Sequence, residues 1–484
     1  MGIFWFTLWQ AALSAAICIV LGIPGAYILY TRKIPGQEMI KALITIPFVL
    51  PTIVVAIGFT SFRKISVFAP ILQGASPIPI IVLANIFMNY SIAVRIIGAS
   101  WSVLDTSIED SASLDGAGRL RTFTAITLPN LKSSIASASA LIFLYCAASF
   151  GLVLVLGGGR VNTIETEIYR SATQLLDLEK TTGLVLLQTI ITVLAFLLSR
   201  PRGEVGLVNS QIAMPSHRLD RRDLPVVIVT FTFVCVFILL PVSKIFIEAL
   251  TFSGSFSFEN FTNLTGKGAR DVLNISIAHA SVNSLRNTLI ASLISICIGV
   301  SVSYLISHSV DRGFKGKIRT VLDFAFQAPI GISTVVLGFG YIVTFSSGIF
   351  PLRSSWLATP LVASLIATPL IIRLVCPAML AINKELLESA STDGASDKSI
   401  WTMIEVPILR NVLLTGLGFS ALISIGEFGA ANFLAYGDQA TLPIILFQLI
   451  SRPGAQNYGM AMAASSILIL FVGVVMYLIT RMDE

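Results

Sequence analysis

Few side chains of this 484-residue chain are spaced for covalent or metal chemistry. His217, His279 and His308 lie far apart, and Cys18, Cys146, Cys235, Cys297 and Cys376 each sit inside an apolar stretch without C-x-x-C spacing. Such cysteines read as small packing residues, so no metal, disulfide or cofactor is expected. Neither GKGAR (266–270) nor GFKGK (313–317) completes the G-x-x-x-x-G-K-[ST] loop that cradles phosphates, so the chain itself should hydrolyse nothing. What does recur is a pair of loops rich in small residues. One reads DSASLDGAGRLRTFTAITLP from Asp110, the other ESASTDGASDKSIWTMIEVP from Glu388. Asp110, Ala112, Gly116, Ile126 and Pro129 in the first match Glu388, Ala390, Gly394, Ile404 and Pro407 in the second. The pattern predicts a short helix of small side chains, stopped by a glycine in a left-handed cap. A second short helix follows, and the proline opens the next span, where its missing N–H costs little. The chemistry is recognition, because small side chains on an exposed helix let another protein's backbone approach closely. An amphipathic helix lying in a groove is a common docking mode.

The elements that hold these loops are set by the solvent. Only 12% of the residues are charged and 55% are hydrophobic, against about 25% charged in soluble proteins, so the solvent must be lipid. A cytosolic enzyme, a secreted disulfide scaffold and a disordered adaptor are excluded. The net charge of +6 is spread between apolar spans rather than gathered in one patch, so no nucleic-acid partner is expected. A helix needs about 20 mainly apolar residues to cross a bilayer. Windows that qualify are 5–30, 41–62, 78–100, 134–156, 182–199, 224–248, 285–307, 321–345, 357–378, 411–435 and 460–480. They run continuously apolar rather than alternating, which argues against a β-barrel. The expected fold is all-α, a polytopic membrane protein of about 11 transmembrane helices. If the loop after the first span is inside, the inside loops hold about twice the Lys and Arg of the outside ones. That puts the C-terminus in the cytoplasm and the N-terminus outside. With no basic n-region and no A-x-A site, the first span reads as a membrane helix rather than a targeting peptide.

The chain is also a tandem repeat. At an offset of 278, Arg95 maps to Arg373, Gly116 to Gly394, Pro129 to Pro407 and Thr163 to Thr441. Upstream, TIVV at 52–55 matches TVVL at 334–337. Nine of the twenty positions from 110 to 129 are identical to their mates. Six spans separate equivalent points, so the two repeats are parallel. The expected organisation is a first half at 1–200 with its loop at 109–130, a cytoplasmic linker at 201–223, and a second half at 224–484 with its loop at 387–408. The second half carries one more span at its start. Either the first half has one helix fewer, or the true start lies upstream.

The doubled loop resembles the EAA–G–I-LP coupling loop of the permease subunits of ATP-binding-cassette importers. Asp110 stands for the usual Glu, and Ser fills the usual first Ala position in both copies. The resemblance implies that both loops dock on a cytoplasmic ATPase dimer and pass its motion to the membrane helices. It also implies a separate extracellular or periplasmic substrate-binding protein and a bacterial inner (plasma) membrane location. Two such loops in one chain are similar to the fused permeases of the thiamine and ferric-iron importers. ASFGLVLVLGGG (148–159), TIETEIY (163–169) and SIGEFGAANFLAYGDQATLP (424–443) look most like the thiamine branch, with the ferric-iron branch as the alternative. An ATP-independent secondary transporter or channel is the alternative of a different class. Glu427, the one carboxylate well inside a predicted span, is either a residue of the translocation path or gate, or a structural hydrogen bond. Its repeat mate is Ser149, so any role is asymmetric. Arg95 and Arg373, at the inner ends of equivalent spans, either snorkel to the interface or hold the loops through a salt bridge.

Overall fold

The computed structural model describes residues 2–65, 67–72, 74, 76–199, 217–308, 325–326, 328–346 and 355–483. Of the predicted linker, 201–216 lies outside the described residues. Two compact units divide the chain: Met1–Asn260 with Ala461–Ser466, and Phe261–Met460 with Ile467–Glu484. Residues 224–260 pack with the first unit, although repeat arithmetic assigns them to the second half.

Long apolar runs become helices because a backbone in lipid has only itself to hydrogen-bond with. In the first unit these are α1 (Ile3–Thr31), α2 (Gln37–Val49), α3 (Thr52–Phe62), α4 (Ile78–Ser102), α5 (Thr106–Leu114) and α6 (Arg119–Ala147). They are followed by α7 (Gly151–Gly157), α8 (Ile164–Arg170), α9 (Leu178–Ser199) and α10 (Arg221–Ala249). The second unit holds α11 (Ile277–His308), α12 (Thr334–Ser346), α13 (Ala358–Leu380), α14 (Lys384–Thr392) and α15 (Asp397–Ile425). α16 (Ala431–Leu434), α17 (Leu442–Ile450) and α18 (Ala455–Asp483) complete the chain. Strand structure among the described residues is limited to two-residue pairs, Arg32–Lys33 with His217–Arg218 and Thr251–Phe252 with Ser255–Phe256.

Among the described residues, eight helices are long and apolar enough to cross a membrane, and ten do so if two bent pairs each count as one. The bent pairs are α2 with α3, at 101°, and α6 with α7, at 56°. At the first bend Pro51 lacks an N–H and holds Leu50 extended (φ −64°, ψ 140°), so the helix cannot run through. The predicted 321–345 span is partly outside the described residues, and α12 within it is only 13 residues long.

The duplication is visible in the backbone. α5 and α14 have the same length and sit at the repeat offset, as do α6 and α15. The main helix crossings match too. Gly22 of α1 lies against Ala93 of α4, and Gly299 of α11 lies against Ile371 of α13. A Cβ on either glycine would fall 2.5 Å from a side-chain carbon of its neighbour, so the backbones approach closely only because that atom is missing.

Gly299→Leu is therefore expected to lower the melting temperature of the detergent-solubilised protein, at a cost of about 1–3 kcal/mol for overpacking. Gly340→Leu, at a helical glycine with open space around it, should leave melting unchanged. Equal melting of both variants would show that the crossing is not tight.

Candidate functional site

The two loops are built by short-range hydrogen bonds. Asp105 Oδ1 accepts the Ser107 N–H at 2.9 Å and starts α5, and its repeat mate Asn383 accepts the Glu385 N–H at 2.9 Å to start α14. The amide of Ser107 holds the exposed Asp105 carboxyl below the usual carboxylate range. Gly116 and Gly394 then take φ of +82° and +87°, the left-handed caps expected of them. The Ala117 N–H reaches back to the Ala112 carbonyl (2.9 Å) and the Ala395 N–H to the Ala390 carbonyl (3.0 Å), closing a Schellman turn in each loop. No atom lies within 4 Å of where a Cβ would sit on either glycine. The requirement is conformational, and an L-residue there would pay roughly 1–2 kcal/mol.

Glu388 is exposed, Ala112 and Ala390 are half-buried, and the Asp110 side chain lies outside the described ones. Around the caps Ile108, Leu114 and Leu120 of the first loop are exposed, Leu114 at 89%, and so are Leu386 and Met403 of the second.

Pro129 and Pro407 stand at the second position of the α-helical stretches Leu128–Ala147 and Val406–Ile425, as expected of residues that open a span, and the helix also reaches back through a π turn to Arg119 and Asp397. Each proline follows a π-helical turn, Phe123–Thr127 or Trp401–Glu405, in which the Leu128 N–H reaches the Phe123 carbonyl and the Val406 N–H the Trp401 carbonyl. A proline within a helix removes one backbone bond and crowds the carbonyl four residues back. The wider turn just before it absorbs that strain. Ile126 and Ile404 are half-buried within these turns.

Beneath the loops the two repeats use different side chains. In the first, the Trp101 ring at the end of α4 stacks on Phe123 at 5.9 Å and meets Tyr27 of α1 at 5.4 Å. In the second, Trp401 meets Tyr304 of α11 edge-on at 5.4 Å, and Tyr304 stacks on His308 at 4.0 Å. His308 Nε2 lies 3.1 Å from Oε1 of Glu405, which is buried in the π turn. Arg95 is exposed on α4, while Arg373 is half-buried at the equivalent place on α13.

Glu427 stands in a helix break. α15 ends at Ile425, short of the predicted limit of 435, and the buried Glu427 carboxylate accepts the N–H groups of Ala430 and Ala431, both at 2.8 Å. The Thr334 hydroxyl donates to it as well. The carboxylate thereby caps the turn that begins α16. Ser149 is buried at the corresponding break between α6 and α7.

Sequence reasoning missed a buried amide ladder in the first unit. Gln10 Nε2 donates to the Cys146 carbonyl (2.8 Å), Asn85 Nδ2 to Gln10 Oε1 (2.9 Å) and Gln188 Nε2 to the Ala147 carbonyl (3.2 Å). These bonds satisfy the last carbonyls of α6 before its break. Glu165 and Glu167 of α8 are also buried, and Lys180 pairs with Glu167 at 2.5 Å. The available signal was the presence of amides inside otherwise apolar windows.

Tandem membrane repeats, each carrying a glycine-capped small-residue helix that leads through a π turn into a span, define the class of a duplicated transport subunit. The chain belongs to the family of binding-protein-dependent transport system inner membrane components, matched over residues 18–200 and 295–483. It is 26% identical over 461 residues to a thiamine transport system permease protein of Brucella suis, covering 92% of this chain and 81% of that one. The corresponding thiamine permease of Escherichia coli K12 is 25% identical, with 93% and 84% covered. A ferric transport system permease protein of Actinobacillus pleuropneumoniae is 26% identical, with 95% and 68% covered. The chain is thus a multi-pass membrane permease of the ATP-binding-cassette importer class.

Glu427→Gln replaces one acceptor oxygen by an NH2 group facing an N–H. A cap of this kind predicts a loss of about 1.5–3 kcal/mol for a hydrogen bond to a charged group. Melting temperature and uptake per folded molecule should separate the two roles. Lower melting with retained uptake fits a cap, whereas lost uptake at unchanged melting puts the carboxylate on the path.

Proposed function

We propose that this chain supplies both membrane-spanning halves of an importer for a small organic cation, thiamine. Two copies of a separate cytoplasmic ATPase dock on the loops around Gly116 and Gly394, and an external binding protein delivers the substrate. Transport proceeds by alternating access. ATP binds the two conformations of the ATPase dimer unequally, and that difference shifts the permease between its states. Hydrolysis belongs to the ATPase, since this chain carries no G-x-x-x-x-G-K-[ST] sequence. The C-terminus lies in the cytoplasm, on the side the Lys and Arg bias assigns to both loops.

The observation that carries this reading is the doubled loop. Two independent copies build the same Asx start, the same small-residue helix and the same left-handed glycine. Both leave apolar side chains exposed between spans. The substrate rests on the thiamine permeases among the relatives. The ferric-iron reading is supported by the Actinobacillus relative, and the two separate in one experiment.

Cells with and without the gene should differ in uptake of labelled thiamine under thiamine starvation and not in uptake of ferric iron under iron starvation. The reverse result moves the chain to the ferric branch with its architecture intact. Gly116→Val combined with Gly394→Val should abolish both uptake and retention of the ATPase on the purified permease, with normal amounts in the membrane. Uptake that survives this double change, or that persists without the ATPase and collapses with the ion gradient, identifies a secondary transporter instead.

A further inference from the structure

The residues that open α10 do more than join two halves. Asp223 is buried, with its side chain 1% exposed, and four donors from three parts of the first unit converge on its two oxygens. The Tyr27 hydroxyl and Arg119 Nη1 reach Oδ1, each at 3.0 Å, and Arg32 Nε reaches Oδ2 at 3.0 Å. The fourth donor is the Asp220 N–H, at 3.1 Å from Oδ2. Arg119 is forked, because its Nη2 also bonds Asp220 Oδ2 at 3.1 Å. Arg32 further bonds the Tyr27 hydroxyl and lies over its ring, 4.8 Å from the centroid. Residues 217 and 218 pair in parallel with Arg32 and Lys33, which fixes the approach of this segment.

These contacts close a ring. Arg119 opens α6, the helix that leads away from the first loop, and one turn later Phe123 stacks on Trp101. Trp101 touches Tyr27, and Tyr27 returns to Asp223. The arm of the loop, the end of α1, the end of α4 and the start of α10 are therefore joined through one carboxylate and one aromatic stack. In the second repeat Asp397 stands where Arg119 does, and Tyr304, at the place of Tyr27 when Gly299 is set on Gly22, meets Trp401.

We infer that Asp223 is a positioning residue for transport, tying the arm of the first loop to α1 and α10 so that a displaced loop carries these helices with it. The inference rests on the coupling role proposed above. A buried charge held by several donors suits the task, because breaking one link leaves the remainder uncompensated and the arrangement resists partial opening. It also makes the two loops unequal, since the first is clamped by a charged residue from the segment joining the halves and the second rests on the His308–Glu405 contact.

The test uses the complete complex of permease, ATPase and binding protein in proteoliposomes, with labelled thiamine as the probe. Asp223→Asn and Arg119→Gln should keep the ATPase bound but raise the ATP hydrolysed per thiamine moved on the order of tenfold, within the usual range of couplings between sites. The double variant should be no worse than either single one, and Asp223→Glu should recover part of the wild-type ratio. A purely structural role would lower the amount of complex without changing that ratio. If Asp223→Asn does not assemble, Arg119→Gln, whose side chain is half exposed, decides alone. A wild-type ratio in Arg119→Gln overturns the inference. Gly116→Val serves as the reference: if it neither releases the ATPase nor uncouples transport, the coupling role of the loops has failed, which is a separate result.

Discussion

Within a bilayer no water is at hand to complete a broken helix, so each interruption of a span must bring its own hydrogen-bond partners. This constraint accounts for several of the buried polar residues among those described. Gln10 and Gln188 exist for the last carbonyls of α6, and Glu427 for the first amides of α16. Thr7 Oγ1 accepts the Ile164 N–H at 3.0 Å and Ser284 Oγ accepts the Leu442 N–H at 2.8 Å, so a hydroxyl from α1 starts α8 and one from α11 starts α17. These polar side chains in apolar windows are the partners of breaks elsewhere. The breaks can be placed within the membrane because their partners sit on neighbouring helices.

The same logic separates what the two repeats share from what they do not. Shared are the residues that set backbone shape: the Asx starts, the left-handed glycines, the isoleucines of the π turns and the prolines behind them. The side chains packed beneath have diverged. The first repeat joins its loop to the bundle by Tyr27, Trp101, Phe123 and an ion-pair cluster, the second by Tyr304, Trp401 and a His308–Glu405 contact. A left-handed cap tolerates little except glycine, whereas a packed base can be rebuilt from many combinations of similar volume. Duplication followed by divergence leaves this pattern.

What could be read from the sequence was whatever depends on local composition or spacing. The apolar windows correspond to helices because length and hydropathy decide spanning, and the loops were placed because their glycines and prolines sit at fixed intervals. Directions and partners were not legible. The window 41–62 is continuous in hydropathy, yet the chain turns by 101° within it, since a single proline acts on geometry and hardly on mean polarity. The prolines at 129 and 407 open α-helical stretches, their commonest place. The helix also reaches back behind them by way of a π turn, which has no compositional signature. Glu427 looked isolated because the Ala430 and Ala431 amides that occupy it belong to the backbone. Asp223 looked like one charge of a polar linker, and its three side-chain partners come from 104 to 196 residues away in the sequence.

Under the coupling role proposed above, the continuity of α6 and α15 through their prolines bears on how a push on a loop would be delivered. Each runs 29 residues without interruption, roughly 40 Å at 1.5 Å per residue, enough to carry it from the loop across a bilayer to the break that holds Ser149 or precedes Glu427. Had Pro129 and Pro407 ended the preceding turn, the loop would hang from a hinge, and movement at Gly116 or Gly394 would be lost there. With the π turn the helix keeps its axis while gaining room for the ring. The loop itself is shaped by its own caps rather than by neighbours, because the space around both glycines is empty. A rigid small loop on a long unbroken lever requires firm anchoring at its base. That is where the aromatic stacks, the Glu405 contact and the Asp223 cluster lie. Those anchors differ in chemistry between the repeats, so two nearly identical loops rest on unlike contacts.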